Sequence, residues 1–233
     1  RRLERIVLHD GVKDINAGAF ACCSALKEIC IPKYITTLCR DTFAGCTVLT
    51  RVELPVGIRT LGHNAFWHCD ALEHIDLPNS IEEMDSFACC RSLKEVTLPL
   101  QLQKVRGFEL CKSLKRVVLR SGVESIGDYA FRSCDELEEI NFPEGLREIR
   151  VRAFYPSKLH SAIFPSTLRK VGCEAFYHNA GLRMIVFQSK VEVEEAAFAK
   201  IPTLRIIKKP LEMKLGEKAF YADSRMDKYA FWD

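Results

Sequence analysis

Apolar residues recur along this chain at a fixed long interval. A phenylalanine returns every 21 to 23 residues. The members of this phenylalanine column are Phe20, Phe43, Phe66, Phe87, Phe108, Phe131, Phe154, Phe176, Phe198 and Phe220. A period in this range is typical of a solenoid, in which each unit buries its apolar face only by stacking on its neighbours. The pattern therefore predicts stacked coils with the phenylalanines in the core.

A cysteine follows each of the first six phenylalanines by three residues. The members of this cysteine column are Cys23, Cys46, Cys69, Cys90, Cys111 and Cys134, and the same position later holds Ser157, Asn179, Ile201 and Asp223. Stacked coils place neighbouring side chains about 4.8 Å apart and pointing the same way. A disulfide instead needs facing Cβ atoms about 3.5 to 4.5 Å apart. We therefore expect the cysteine column to be reduced and buried.

Each unit also contains an L-x-x-I/V-x-L-P segment, for example over residues 26–32. Its apolar residues alternate with period two, which predicts a short strand with one face on the core. Proline then ends the strand because it has no N–H to donate. A second apolar pair, such as Val123 and Ile126, predicts a second short strand that ends in a turn. The A-F-x-x-C segment is expected to form one helical turn that closes the coil.

The full motif, L-x-x-I-x-L-P-x-x-V-x-x-I-G-x-x-A-F-x-x-C, resembles the leucine-rich repeats of the BspA-like (Treponema pallidum) type over almost the whole chain. This resemblance implies a mainly β, right-handed leucine-rich-repeat superhelix with stacked parallel strands. It also implies a role in binding, because members are often surface proteins of bacteria and protozoa that adhere to host proteins or cells. We expect a single array of about ten coils over residues 1–233, starting inside a repeat.

Two parts of the array depart from the motif. The intervals into Phe87 and Phe108 are only 21 residues, and both shortenings fall between the second strand and the turn. We expect a local change in curvature there, with Gly107 permitting the tighter turn. From Phe154 onward the units are less regular, as terminal repeats commonly are. Residues 221–233 are expected to form a capping helical turn that includes Tyr229, Phe231 and Trp232.

Composition excludes some classes of function and leaves the compartment open. The 34 Lys and Arg residues exceed the 31 Asp and Glu residues by only +3, which does not indicate binding to nucleic acid or to an anionic membrane. No apolar run approaches the roughly 20 residues of a membrane span. Eleven cysteines include at least one unpaired thiol, and Cys30 is expected to face solvent. Free thiols favour a reducing compartment, whereas the family resemblance implies the cell surface or secretion.

Candidate chemistry is sparse. His63, His68, Cys69 and His74 lie within one coil, but their spacing matches no familiar zinc signature. Cys69 also belongs to the buried column, while His74 points out of its strand. The sequence contains no G-x-S-x-G, P-loop, H-E-x-x-H or dinucleotide motif. We therefore predict neither an enzyme nor a metal or cofactor site.

The outward-facing residues of the first strand in each unit form a row that begins charged and ends apolar. Arg51, Glu53 and His74 belong to its charged part. The predicted partner-binding residues in its apolar part are Val118, Ile163, Met184, Val186 and Ile206. Contiguous exposed apolar area usually marks an interface. The alternative is that further sequence or the aromatic tail simply covers this area.

Two functions remain from the sequence, and neither identifies the partner. The first is a non-enzymatic protein-binding module of the adhesion type. The second is an intracellular structural or scaffold subunit of a larger protein assembly, which the cysteine count and the apolar part of the row favour.

Overall fold

Two short strands per turn build a β-solenoid of about nine turns, as expected from the repeat. The computed structural model describes residues 4–210, 213–221 and 230–232, the last of these as backbone only. The first ladder contains β1 (Arg5–Ile6), β2 (Glu28–Cys30), β4 (Arg51–Glu53), β7 (Glu95–Thr97), β9 (Arg116–Val118), β11 (Glu139–Ile140), β13 (Ser161–Phe164), β15 (Met184–Phe187), β17 (Ile206–Lys208) and β18 (Ala230–Trp232). The second contains β3 (Thr37–Leu38), β5 (Thr60–Leu61), β6 (Glu83–Met84), β8 (Lys104–Val105), β10 (Ser125–Ile126), β12 (Glu148–Ile149), β14 (Lys170–Val171) and β16 (Glu192–Val193).

All strand pairs are parallel, and each joins one coil to the next. The first ladder is divided into the sheets β1-β2-β4, β7-β9-β11 and β13-β15-β17-β18. The second is divided into β3-β5-β6 and β8-β10-β12-β14-β16. The strand expected around Ile75 and Leu77 does not pair among the described residues, and both side chains are only half-buried. Residues 230–232 contribute the backbone of β18, a further strand paired with β17, whereas residues 222–229 and 233 of the expected cap lie outside the described residues.

The phenylalanine column runs through the core as one continuous stack. Successive ring centroids lie 4.9 to 5.6 Å apart, with interplanar angles of 3° to 19°. The side chains from Phe43 to Phe220 are buried, and Phe20 at the start of the stack is half-buried. Each inner ring is shielded from water by its two neighbours, so the coils depend on one another.

The segment around each phenylalanine is a series of tight turns, and the described residues contain no helix. Hydrogen bonds within a coil alternate with bonds to the next coil: Cys23 N–H donates to Phe20 O at 3.2 Å, whereas Phe20 N–H donates to Thr42 O at 2.9 Å. Left-handed residues flank the phenylalanine, as at Asn64 (φ 57°) and His68 (φ 55°). Since L-residues enter this region singly and not as runs, the alternation excludes the predicted helical turn.

The two shortened coils lose residues where the sequence indicates. Five positions separate the end of β5 from its phenylalanine, but only three separate the ends of β6 and β8 from Phe87 and Phe108. Gly107 has a φ of 83°, and a Cβ there would lie 2.4 Å from Ser86 N. The second ladder breaks at the same place, between β6 and β8.

The cysteine column supports the backbone by hydrogen bonding. Each thiol from Cys46 to Cys134 donates to the phenylalanine carbonyl of the preceding coil, at 3.1 to 3.4 Å. Burial raises the pKa of Cys46 to about 12 and raises those of the later members as well. All eleven cysteines are free thiols. In later coils the cysteine position holds Ser157 and Asn179. Asn179 Nδ2 donates to Ser157 Oγ at 2.5 Å, so these coils are joined at this position by a side-chain hydrogen bond instead.

Candidate binding surface

The apolar end of the strand row is exposed, as strand alternation requires. In β13 and β15 the burial alternates residue by residue. Ile163 is 48% exposed and Ile206 is 37% exposed. Met184 and Val186 are half-buried, whereas Ile185 between them lies in the core. These strands therefore present branched and thioether side chains to solvent.

The strand register brings four of the five predicted residues together. Met184 pairs with Ile206, and Ile163 pairs with Val186. Because neighbouring strands lie about 4.8 Å apart, their side chains form one surface. We call Ile163, Met184, Val186 and Ile206 the apolar patch. Its position follows from β13, β15 and β17 having unbroken parallel register.

Val118 does not belong to the apolar patch. It lies on β9, and the corresponding position of the next coil holds Asn141. The Asn141 side chain accepts from Leu119 N at 2.8 Å and donates to Leu119 O at 2.9 Å. These two bonds to Leu119 are made by a side chain, whereas in a strand pair the backbone of the neighbouring strand would make them. The first ladder then breaks between β11 and β13. These two features separate Val118 from the patch.

Basic side chains that the sequence reasoning missed border the apolar patch. His160, Arg183 and Arg205 precede β13, β15 and β17 and are exposed. Arg183 N–H donates to His160 O, and Arg205 N–H donates to Arg183 O, both at 3.0 Å, which sets the three side chains in a row. Lys208 is exposed at the other border. His160, Arg183 and Arg205 are visible in the sequence, but they lie just before the strands and so outside the outward strand positions.

Among the described residues, the cationic side chains of Arg183, Arg205 and Lys208 lack the acidic partners found elsewhere on the same face. Within the part of the chain that the structure describes, Arg183 and Lys208 make no ion pair, and Arg205 donates to backbone carbonyls. Nearer the N-terminus, Lys27 pairs with Glu4 at 3.6 Å and Lys94 pairs with Glu73 at 2.5 Å. The Lys94 pair lowers the pKa of Glu73. The patch thus has an apolar centre and a border of uncompensated positive charge.

The histidines of the coil around Phe66 point to separate places. His63 Nδ1 lies 2.9 Å from Asp85 Oδ2, and His68 Nδ1 lies 3.5 Å from Asp70 Oδ2. His74 is exposed on the strand face. Among the described residues, no three His, Cys, Asp or Glu side chains are grouped closely enough to hold a metal ion. The same residues include no helix with the length and apolar character needed to cross a membrane.

The stacked parallel strands, the buried phenylalanine column and the exposed strand face together define a leucine-rich-repeat solenoid. The chain belongs to the family described as BspA type Leucine rich repeat region, which matches residues 2–107 and 104–227 with 6 copies. Such repeats generally serve as protein-interaction modules, and the family and fold are typically non-enzymatic. No curated protein matches the chain.

Solved structures from bacteria share this fold. A leucine-rich repeat protein from Bacteroides ovatus is 28% identical with a TM-score of 0.79, and the match covers 91% of this chain and 62% of that protein. The T. pallidum leucine-rich repeat protein TpLRR is 26% identical with a TM-score of 0.54, covering 81% of this chain and 69% of that one. The pneumococcal vaccine antigen PcpA, at 20% identity and a TM-score of 0.50, is similar in fold, with 80% and 58% covered. The chain therefore spans less than two thirds of the B. ovatus protein's length.

Proposed function

We propose that this protein is a non-enzymatic, adhesion-type protein-binding module whose apolar patch docks a protein partner. The observation that carries the proposal is the exposure of Ile163 and Ile206 on the coils on either side of half-buried Met184 and Val186. Val118, two coils away, stays outside this docking surface.

The energetics favour covering the patch. Covering a few hundred Å² of apolar surface at about 25 cal/mol per Å² contributes several kcal/mol before the losses of association. Charged row members such as Arg51 and Glu53 gain little from a partner because they already pair with each other at 2.6 Å. Docking at the apolar end is therefore the more favourable arrangement.

The charges indicate the chemistry of the partner. Arg183, Arg205 and Lys208 border the patch without acidic partners among the described residues. A partner with apolar side chains flanked by Asp or Glu matches this arrangement. Complementary charge of this kind mainly raises the association rate and makes it depend on salt.

A second candidate is an intracellular scaffold subunit of a larger assembly. It is favoured by the eleven free thiols, of which Cys22 and Cys30 are exposed. Exposed thiols persist more readily in a reducing compartment. Labelling of intact source cells with a membrane-impermeant amine reagent separates the two candidates, because only a surface protein is labelled.

The docking surface is tested with two matched double variants. Met184→Asp with Val186→Asp adds two carboxylates to the apolar patch and leaves the inward-facing Ile185 alone. Arg51→Asp with His74→Asp adds two carboxylates to the same face nearer the N-terminus. In pull-downs from extract of the source organism, we expect the first pair to lose the partner and the second to retain it, with thermal melts within a few degrees of wild type. The reverse result would place recognition at the N-terminal end.

A further inference from the structure

A groove lies on the turn side of the solenoid, at the two shortened coils. The coils of Phe87 and Phe108 each lack two residues before the turn, so they are recessed between the full-length coils of Phe66 and Phe131. Three coil steps separate the two walls, with ring spacings of 5.2, 5.6 and 5.4 Å. We call this the turn groove, and its floor is formed by Ala88, Cys89, Gly107 and Leu110.

Each wall of the turn groove carries an exposed aromatic ring. Trp67 is 40% exposed and Tyr129 is 36% exposed. The Trp67 ring packs edge-on against His68, with the ring centroids 4.2 Å apart. The Arg132 guanidinium lies 5.5 Å from the Tyr129 ring centroid. Both rings are thus held in place before any ligand arrives, which limits the entropy lost on binding.

The polar residues around the floor are balanced in charge. Asp85 contacts His63 at 2.9 Å, and Glu109 and Asp128 accept from Arg132 and Arg150 at 3.0 and 3.3 Å. Arg106 is exposed and makes no ion pair among the described residues. Its side chain lies against Gly127, where a Cβ would be 2.9 Å from Arg106 Cγ. The groove is lined by three carboxylates and the Arg106 guanidinium, and Arg132 and Arg150 pair with two of these carboxylates from outside the lining, so a strongly charged ligand gains little there.

The backbone of the groove offers no strand edge to a peptide. Asn64 N–H donates to Asp85 O, Phe87 N–H to Gly107 O and Leu110 N–H to Arg132 O, at 2.7 to 2.8 Å. Recognition by strand addition needs unpaired backbone groups. The groups on offer are instead the exposed Trp67 and Tyr129 side chains, the residues of the floor, and carboxylate and guanidinium side chains at the rim.

We propose that the turn groove binds a neutral carbohydrate chain. A pyranose has faces of weakly positive C–H groups, which the negative face of an aromatic ring attracts. Its hydroxyls both donate and accept, so they match a rim where acceptors such as Asp85 and Asp128 stand beside the donor Arg106. The site is separate from the apolar patch, and the proposal does not rest on a protein partner binding at that patch.

The test uses neutral hexasaccharides as probes: cellohexaose, mannohexaose, maltohexaose and chitohexaose. In a Trp232→Phe background Trp67 is the only tryptophan, so its fluorescence reports groove occupancy directly. We expect a saturable fluorescence change with at least one probe, confirmed by calorimetry. Trp67→Ala and Tyr129→Ala, followed by calorimetry, should each raise the Kd by about tenfold or more.

Two controls keep the test specific. Tyr34→Ala removes an aromatic side chain that is 64% exposed but lies outside the groove, and it should leave the Kd unchanged. Trp67→Phe keeps a ring at the wall and should retain most of the binding, which covers the case in which Trp67→Ala fails to fold.

Three results would overturn the proposal. The first is no saturable change with any of the four probes up to about 20 mM, a range that covers weak binding. The second is binding that survives both aromatic-to-alanine changes. The third is loss of a protein partner in the pull-down with Trp67→Ala while Met184→Asp with Val186→Asp retains it, which would make the groove the protein site.

Discussion

Replacing Phe131 with alanine tests whether the coils are coupled through the phenylalanine column. Phe131 is fully buried and stacks on Phe108 at 5.4 Å and on Phe154 at 5.3 Å. Burial of this kind costs about 3 to 5 kcal/mol when phenylalanine becomes alanine. Two ring contacts are lost at once, each worth about 0.5 to 1.5 kcal/mol beyond area burial. We therefore expect a loss in the upper part of that range.

Phe20→Ala is the matched control within the same column. Phe20 is half-buried and stacks on Phe43 at 5.3 Å at the start of the described stack. Its loss should be less than half that of Phe131→Ala, because it shields less apolar surface and its removal leaves less of a cavity.

The measurement is urea unfolding followed by far-ultraviolet circular dichroism. The free energy of unfolding should fall with little change in the m-value if the array still unfolds as one unit. A reduced m-value would mean that the coils on the two sides of residue 131 have become uncoupled, as nearest-neighbour models of repeat arrays allow. A loss below about 1 kcal/mol for Phe131→Ala, or equal losses for both variants, would refute the coupling argument.

Two further predictions concern the cysteine column and the hydrogen bonds between Asn141 and Leu119. Without reductant, a thiol reagent at pH 8 should label exposed Cys22 and Cys30 in the native protein but reach Cys46 only after unfolding, because burial raises the pKa of Cys46 to about 12. Cys69, Cys90 and Cys111 should behave in the same way, and disulfides among these four by mass spectrometry would contradict this. Asn141→Leu should cost about 1 to 3 kcal/mol in a thermal melt, because both backbone groups of Leu119 lose their partner. Glu139→Gln on β11, which directly precedes Asn141, is the control, and an equal effect would show that the Asn141 hydrogen bonds contribute nothing.

The core of this fold can be read from the sequence because one coil has the length of one repeat. The phenylalanine column, the cysteine column and the strand alternation all follow from that length. The prediction of a helical turn around each phenylalanine was wrong because the pattern A-F-x-x-C does not identify a helix. Apolar residues three apart occur both in a helix and in consecutive tight turns. Only the left-handed residues distinguish the two, and here they are residues such as Leu110 (φ 62°) and Tyr129 (φ 58°). Glycine, the usual sequence signal for that conformation, is absent from both positions.

The candidate surfaces were only partly visible from the sequence. Alternation identified Ile163 and Ile206 as outward-facing, but it assigned Val118 to the same surface because it assumed an unbroken ladder. The ladder breaks between β11 and β13, and Asn141, which follows β11, bonds the backbone of Leu119, an interaction between residues 22 apart that no local pattern reports. The turn groove was missed for a related reason. The shortening of two coils was evident, but that it recesses the floor between Trp67 and Tyr129 depends on the three-dimensional stack.

In a regular solenoid each coil satisfies its neighbours, so recognition is expected where the repeat is broken. Most of the length conforms: rings stack, thiols bond carbonyls, and surface cations such as Lys27 and Lys94 find acids one coil away. A ligand gains little binding free energy on such a surface, because it would have to displace interactions that the coils already make with one another. The apolar patch departs from the pattern because Arg183, Arg205 and Lys208 have no acidic partner among the described residues, and the turn groove departs because two coils are two residues shorter. The two departures lie on different faces and at different coils, so one chain of this length has room for two ligands that do not compete.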